Sequence, residues 1–281
     1  MGAPRWFVEK LGWKKATSGK PSENCQQLFG VRFGPNLADL GGKGSASVSG
    51  LLYARLGIPK ERTTDLDIEK AAAEAERAGS AGTGLEVDLE NDLRQYLAMH
   101  APGRGFEVTR TGTVAQFSQY SHLNELQKLF NEQPTLRSAI GRDYHVKTDV
   151  MVSLPDPADP EMPRFLHAAV SSKLTLRSDR AQNIRYEFGT LVANRRGRLP
   201  HLVVVTAEPL PSRLVSLARG TGAIDAVYHL LYEEMDSVMR AERIDHYGEH
   251  YWLEQQRDWQ ELVTQGRIRP YAELPALLAT G

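Results

Sequence analysis

Asp149, Lys173 and Glu187 are the residues of this chain whose types and spacing could do chemistry together. Side chains two apart on a strand share a face, so in FLHAAVSSK, read as a strand over 165–173, Ser171 and Lys173 point the same way. Asp149 stands beside the apolar Val150 and Val152 in VKTDVMVSL, read as a neighbouring strand over 146–154. Glu187 sits in the helix that follows, between the core positions Ile184, Phe188 and Leu191, where a charge is costly unless something pairs with it. One divalent cation held by Asp149 and Glu187 would satisfy both carboxylates. Lys173 beside it would orient or activate a water, or stabilise charge developing on a phosphate. That is the chemistry of metal-assisted phosphodiester hydrolysis. A plain salt bridge between Lys173 and one carboxylate at a sheet edge fits the same spacing, and spacing alone leaves both readings open.

The segment between these residues has its own character. RSDR, residues 177–180, clusters Arg177, Asp179 and Arg180 where the strand hands over to the helix, with Ser178 placed as N-cap. Arginine matches the O6 and N7 acceptors of guanine bidentately, and aspartate accepts from the N4 amine of cytosine, so the set suits G·C pairs in duplex DNA. Its plain alternative is a solvated helix start with local ion pairs. Elsewhere, His246, Glu249 and His250 spell H-x-x-E-H, a metal-binding pattern that Gly248 and the neighbouring Tyr247, Tyr251 and Trp252 turn toward a packing face instead. No P-loop is present, because Gly42 and Lys43 are followed by Gly44.

Positioning these groups requires a sheet and helices. PDPADPEMP connects the two strands, and HLVVVTA at 201–207 is the nearly continuous apolar run of a strand covered on both faces. Helical period returns over 178–196, with Ala181, Ile184, Phe188, Leu191 and Val192 on one face until Gly197 and Pro200 end it. AIDAVYHLL, from 223, reads either way, as a last strand passing into a helix. Upstream, 65–99 is rich in helix formers and broken at 78–84. Its second half repeats Leu85, Leu89, Leu93 and Leu97 on one stripe, and Leu123, Leu126 and Phe130 mark another helix over 122–131. The order helix, strand, strand, helix, strand predicts an α/β fold, a central mixed β-sheet flanked by α-helices. We read 1–281 as a single domain, with 1–65 the least readable part, a core over 82–230 and a helical part over 231–281.

Bulk composition excludes several classes. A net charge of -1 offers no global attraction for a polyanion, so a DNA surface must come from local segregation. That segregation exists: residues 171–200 carry seven basic residues against two acids, whereas 231–281 carry ten acids and five arginines. The glycine-rich run GGKGSASVSG at 41–50 is too short to separate domains. The single Cys25 excludes an internal disulfide and reads as a small hydrophobe. No stretch has the length of a signal peptide core or membrane span, which predicts a soluble cytoplasmic protein.

SSKLTLRSDRAQNIRYE, followed by NRRGRLPHLVVVTAEPLPSR, closely resembles the NgoMIV restriction endonuclease family, type IIF enzymes of the PD-(D/E)XK nuclease superfamily. The likeness is dense over about 140–230, looser through SQYSHLNEL and AGTGLEVDLE, and fades in 1–65 and after about 235. The resemblance implies a restriction-endonuclease-like core in which the usual second acid is serine, giving S-x-K at Ser171 and Lys173, with Glu187 completing the metal site of Asp149. Thr148 stands where the superfamily motif has proline. A further glutamate on the helix opening the core corresponds to Glu86 or, in this looser stretch, Glu90. The resemblance also assigns Arg177, Asp179 and Arg180 to a central CCGG, Arg213 to the outer pair of GCCGGC, and Asp39 to an outer-base contact. It implies a homotetramer engaging two DNA sites.

The leading expectation is therefore a Mg²⁺-dependent type II restriction endonuclease, with two ions near Asp149 and Glu187, leaving 5′ phosphates. A DNA-binding protein on the same fold without cleavage, and a structure-directed repair nuclease, are the alternatives. RSDR would have no obvious use in the last.

Overall fold

The β-branched runs of the second half of the chain, joined at one edge by a short strand from 107–109, assemble into one six-stranded mixed sheet. A computed structural model describes residues 2–65, 84–132, 146–156, 159, 161–176, 178–220, 222–241 and 249–281. The strands, in chain order, are β1 Trp13–Lys15, β2 Phe33–Pro35, β3 Glu107–Thr109, β4 Val150–Leu154, β5 Phe165–Lys173, β6 His201–Thr206, β7 Ala226–His229 and β8 Ile268–Pro270. The sheet order is β3-β4-β5-β6-β7-β8, antiparallel from β3 through β5 and parallel from β5 through β8. Parallel strands are covered on both faces, and Leu202 to Val205 of β6 are accordingly all 0% exposed.

The mixed sheet flanked by helices is the expected architecture, with differences at its edges. β5 spans 165–173 as read from its pattern, and 223 onward resolves as strand β7 passing into the helix Tyr232–Ala241. β4 begins at Val150 rather than at 146. Val150 pairs with Val170, and the N–H of Ser172, next along that side of β5, goes to the Asp149 carboxylate instead of a backbone carbonyl. Residues 231–281 supply helices as expected but also β8, which pairs with β7 at the sheet edge.

The helix Leu85–His100 lies against β3, β4 and β5, and Leu89, Leu93 and Leu97 form its buried stripe. The helix expected in 65–77 falls outside the described residues. The helix Ser178–Asn194 buries Ala181, Ile184, Phe188 and Leu191, the face its period marks.

Residues 2–65 form the antiparallel pair β1–β2 with the helices Gly19–Phe29 and Lys43–Arg55. The small-residue run at 41–50 thus lies mostly in a helix. A Cβ on Gly50 would come within 2.6 Å of the Phe29 ring, so only hydrogen allows the two helices to approach so closely. Cys25 is buried beside them and its thiol is pushed up to about 11 by burial, consistent with a small hydrophobe. One hydrophobic cluster runs from Trp13 and Leu52 through Leu93 to Val204 and Leu262. Among the described residues, no helix is long and apolar enough to cross a membrane.

Candidate active site

Asp149 is held at the mouth of the β4–β5 pair by three groups of one segment. Its Oδ2 accepts from Ser172 N–H at 2.7 Å, from Ser171 Oγ at 3.2 Å and from Lys173 Nζ at 3.2 Å. Ser171 and Lys173 share a face of β5, as the two-residue period requires, and Ser172 contributes through its backbone. The Lys173 and Asp149 side chains are 20% and 23% exposed, so the pair sits on a rim that water or a phosphate can reach. Thr148, at the position of the superfamily proline, has a buried hydroxyl without a hydrogen bond among the described residues.

The helix Leu85–His100 brings a second carboxylate to this rim. Glu86 has its acidity weakened first by burial and next by the charge of Asp149, with Lys173 and Arg110 opposing. Those neighbours locate Glu86 in the field of both Asp149 and Lys173. Glu90, one turn further on, is instead ion-paired with Arg94 and Arg110. Arg110, which sequence reading did not single out, therefore pairs directly with Glu90 and acts on Glu86 through its charge alone.

The charge of Asp149 makes the Glu86 carboxylate costlier beside one lysine, and a divalent cation would neutralise such a set. Mg²⁺ commonly takes one or two carboxylates and completes its shell with water and substrate phosphate, so no all-protein cage is needed. Among the described residues no group of three or more His, Cys, Asp or Glu side chains is arranged to hold a metal ion. Glu187 is half-buried on the helix Ser178–Asn194, next to the buried Phe188. Asp149, Ser171, Lys173 and Glu86 are thus brought together, while Glu187 comes from a separate element.

Of the residues read as base contacts, Asp179 and Arg180 lie beyond the carboxyl end of β5. Asp179 is exposed on the first turn of the helix, and the half-buried Arg180 donates from Nη1 to the Thr175 carbonyl at 3.3 Å. Arg177 and the side chain of Ser178 fall outside the described residues, so the N-cap expectation falls there too. Arg213, in the first turn of the helix Pro211–Ala218, lies 3.7 Å from Asp39 and 3.5 Å from Glu208. Two residues 174 positions apart that were expected at one outer base pair are therefore neighbours.

Sequence reading missed Glu208. Its signal was available: a single acid closing the apolar strand HLVVVTA, where a lone carboxylate requires a partner. Of the H-x-x-E-H pattern, His246 lies outside the described residues, and His250 is an exposed side chain 3.2 Å from Glu254.

With this geometry in hand, comparison with known proteins gives two findings. The family described as NgoMIV restriction enzyme matches residues 103–164 and 156–279. The Type II restriction enzyme NgoMIV of Neisseria gonorrhoeae is 38% identical over 189 residues, 59% of this chain and 63% of that enzyme. The chain thus spans somewhat less than two thirds of that relative. The family match takes in Asp149, Ser171, Lys173, Glu187 and Arg213, whereas Glu86 and Asp39 precede it.

Proposed function

The chain belongs to the NgoMIV restriction enzyme family, and on that premise we propose that it is a type II restriction endonuclease that hydrolyses double-stranded DNA at GCCGGC and leaves 5′ phosphates. The observation that carries this reading is the Asp149 carboxylate bonded to Lys173 Nζ, with Glu86 in their field, beside the arginine-bearing start of the helix Ser178–Asn194. Ligand sites of open α/β sheets form outside the carboxyl ends of the strands, and Lys173 ends β5 while Glu208 and Arg213 follow β6.

In this reading Asp149 and Glu187 would hold Mg²⁺, two ions per site, with Glu86 in support. The cation, when bound, supplies charge neutralisation at the scissile phosphate and a more acidic water. Ser172 N–H and the Ser171 hydroxyl keep the Asp149 carboxylate oriented. Lys173 Nζ, a compact point charge with three donors, turns from Asp149 toward the phosphate or the attacking water and stabilises the charge that develops there. Arg177, Asp179 and Arg180 read the central CCGG from the major groove, and Arg213 with Asp39 reads the outer pair. The protein acts in the cytoplasm as a homotetramer that engages two sites, within a restriction-modification system.

Digestion of a sequenced plasmid followed by sequencing of the ends tests this. The expected result is cutting in Mg²⁺ at GCCGGC alone, with a 5′ phosphate at each new end. DNA left intact across several divalent metals, or cut at unrelated sequences, overturns it.

A further inference from the structure

Beyond β6 the chain turns through Ala207, Glu208 and Pro209 toward the helix Pro211–Ala218, and Glu208 is fully buried in that turn. A carboxyl withdrawn from water needs donors on its oxygens. Leu176 N–H donates to Oε2 at 2.6 Å, Leu210 N–H donates to Oε1 at 3.0 Å, and Arg213 Nη1 lies 3.5 Å from Oε2. Its backbone is held as well: the N–H donates to Thr206 Oγ1, and the carbonyl accepts from His229 Nε2 at 3.0 Å. Leu231 N–H donates to His229 Nδ1, which places the imidazole proton on Nε2 and fixes the direction of that bond.

The two ends of this network belong to two different reading elements. Leu176 directly precedes Arg177, and Arg213 is the residue assigned above to the outer base pair. Arg213 is held between two carboxylates, Glu208 on its buried side and Asp39 at 3.7 Å from Nη2. Its Nη1 is buried in ion-pair range of Glu208 yet makes no hydrogen bond among the described residues. A buried donor left short of a bond calls for an explanation, and a guanidinium aimed by charge alone can reseat on the O6 and N7 edge of a guanine.

We propose that Glu208 is a positioning residue for specificity: it aims Arg213 at the outer base pair. The carboxylate itself is held by Leu176 N–H and Leu210 N–H, so the charge that faces Arg213 has a fixed position. The inference rests on the reading of the chain as a GCCGGC endonuclease.

The test compares cleavage rates of wild type, Glu208→Gln, Arg213→Ala and the double variant on three duplexes, carrying GCCGGC, the same site with the outer pair exchanged, and the same site with a central pair exchanged. Burial raises the Glu208 carboxyl to about 7, against the pull of Arg213 and the two N–H donors; glutamine keeps the shape, but its NH2 cannot accept, so one of Leu176 N–H and Leu210 N–H loses its acceptor. Wild type prefers GCCGGC over both other duplexes. In Glu208→Gln the preference at the outer pair shrinks by roughly tenfold to a hundredfold, the worth of one bidentate base contact, while the preference at the centre holds. Arg213→Ala gives the same narrowing, and the double variant adds little, as expected of two residues acting as a unit.

Glu208→Asp, which keeps the charge but withdraws it by one methylene, also narrows the outer preference and serves if the glutamine variant does not fold. A loss of rate on all three duplexes with unchanged ratios, or two Glu208 variants that both fail to fold, assigns Glu208 to stability alone and overturns the proposal. A wild type that cuts none of the duplexes, or ignores the outer pair, overturns the functional reading itself and is distinguished by needing no variant.

Discussion

Replacing Asp149 by asparagine separates what this residue does for the fold from what it does for a cation. The amide oxygen still accepts from Ser172 N–H, now at 2.7 Å from Oδ2, but the amide nitrogen presents donors toward Lys173 Nζ and the charge is gone. The loss is one charge-assisted contact on a rim where both side chains are about one fifth exposed. That contact is worth about 1–2 kcal/mol after allowance for solvent screening. Part of it is offset, because Glu86 no longer faces a like charge. At about 2–4 °C per kcal/mol for a chain of this size, melting should fall by only a few degrees.

The effect on chemistry should be far larger. Losing a cation ligand and the orienter of Lys173 removes about 4 kcal/mol or more of transition-state stabilisation, about a thousandfold in rate. A cation that binds only the folded chain stabilises it by about 2.7 kcal/mol at a hundred times its Kd, so Ca²⁺ should raise the melting temperature of wild type and leave the asparagine variant unmoved. Plasmid cleavage rates and melting curves with and without Ca²⁺ measure both effects. An asparagine variant that cuts within tenfold of wild type, or whose melting temperature still rises with Ca²⁺, refutes the reasoning.

Two further outcomes follow from the same geometry. Glu86→Gln should abolish the rise in melting temperature with Ca²⁺, whereas Glu90→Gln should keep it and lose about 1–3 kcal/mol of stability, because Arg94 and Arg110 lose their shared partner; the reverse pattern in melting curves would exchange the two roles. His167, buried and bonded to the Leu278 carbonyl, is lowered to about 4 by burial and then by His201. Below its ordinary value of 6.5 the unfolded chain takes up a proton that the folded one refuses, so its contribution to stability is lost as pH falls from 6.5 to 4. The stability gap between wild type and His167→Gln should therefore shift against wild type by about 3 kcal/mol over that range in denaturant titrations, and a gap independent of pH would show that His167 is protonated equally in both states.

Local pattern carried much of this molecule into view. The apolar run of β6, the full length of β5, the leucine stripe of 85–100 and the buried face of 178–194 follow from side-chain period and propensity, which neighbours in sequence decide. The S-x-K spacing put Ser171 and Lys173 on one face of a strand for the same reason. The three-residue strands β3 and β8 were not legible, because at that length no period accumulates and pairing with β4 and β7 alone makes them strands. Tertiary structure also decided the site. Asp149 takes the N–H of Ser172 because β4 and β5 pair in one register, and Glu90 rather than Glu86 is directly ion-paired because Arg110 arrives from twenty residues away. Arg213 meets Asp39 and Glu208 only when the N-terminal segment closes on the end of β6. Electrostatic partners act through space over a few ångströms, so which charges are paired and which remain for a ligand is settled only when distant parts of the chain are packed together.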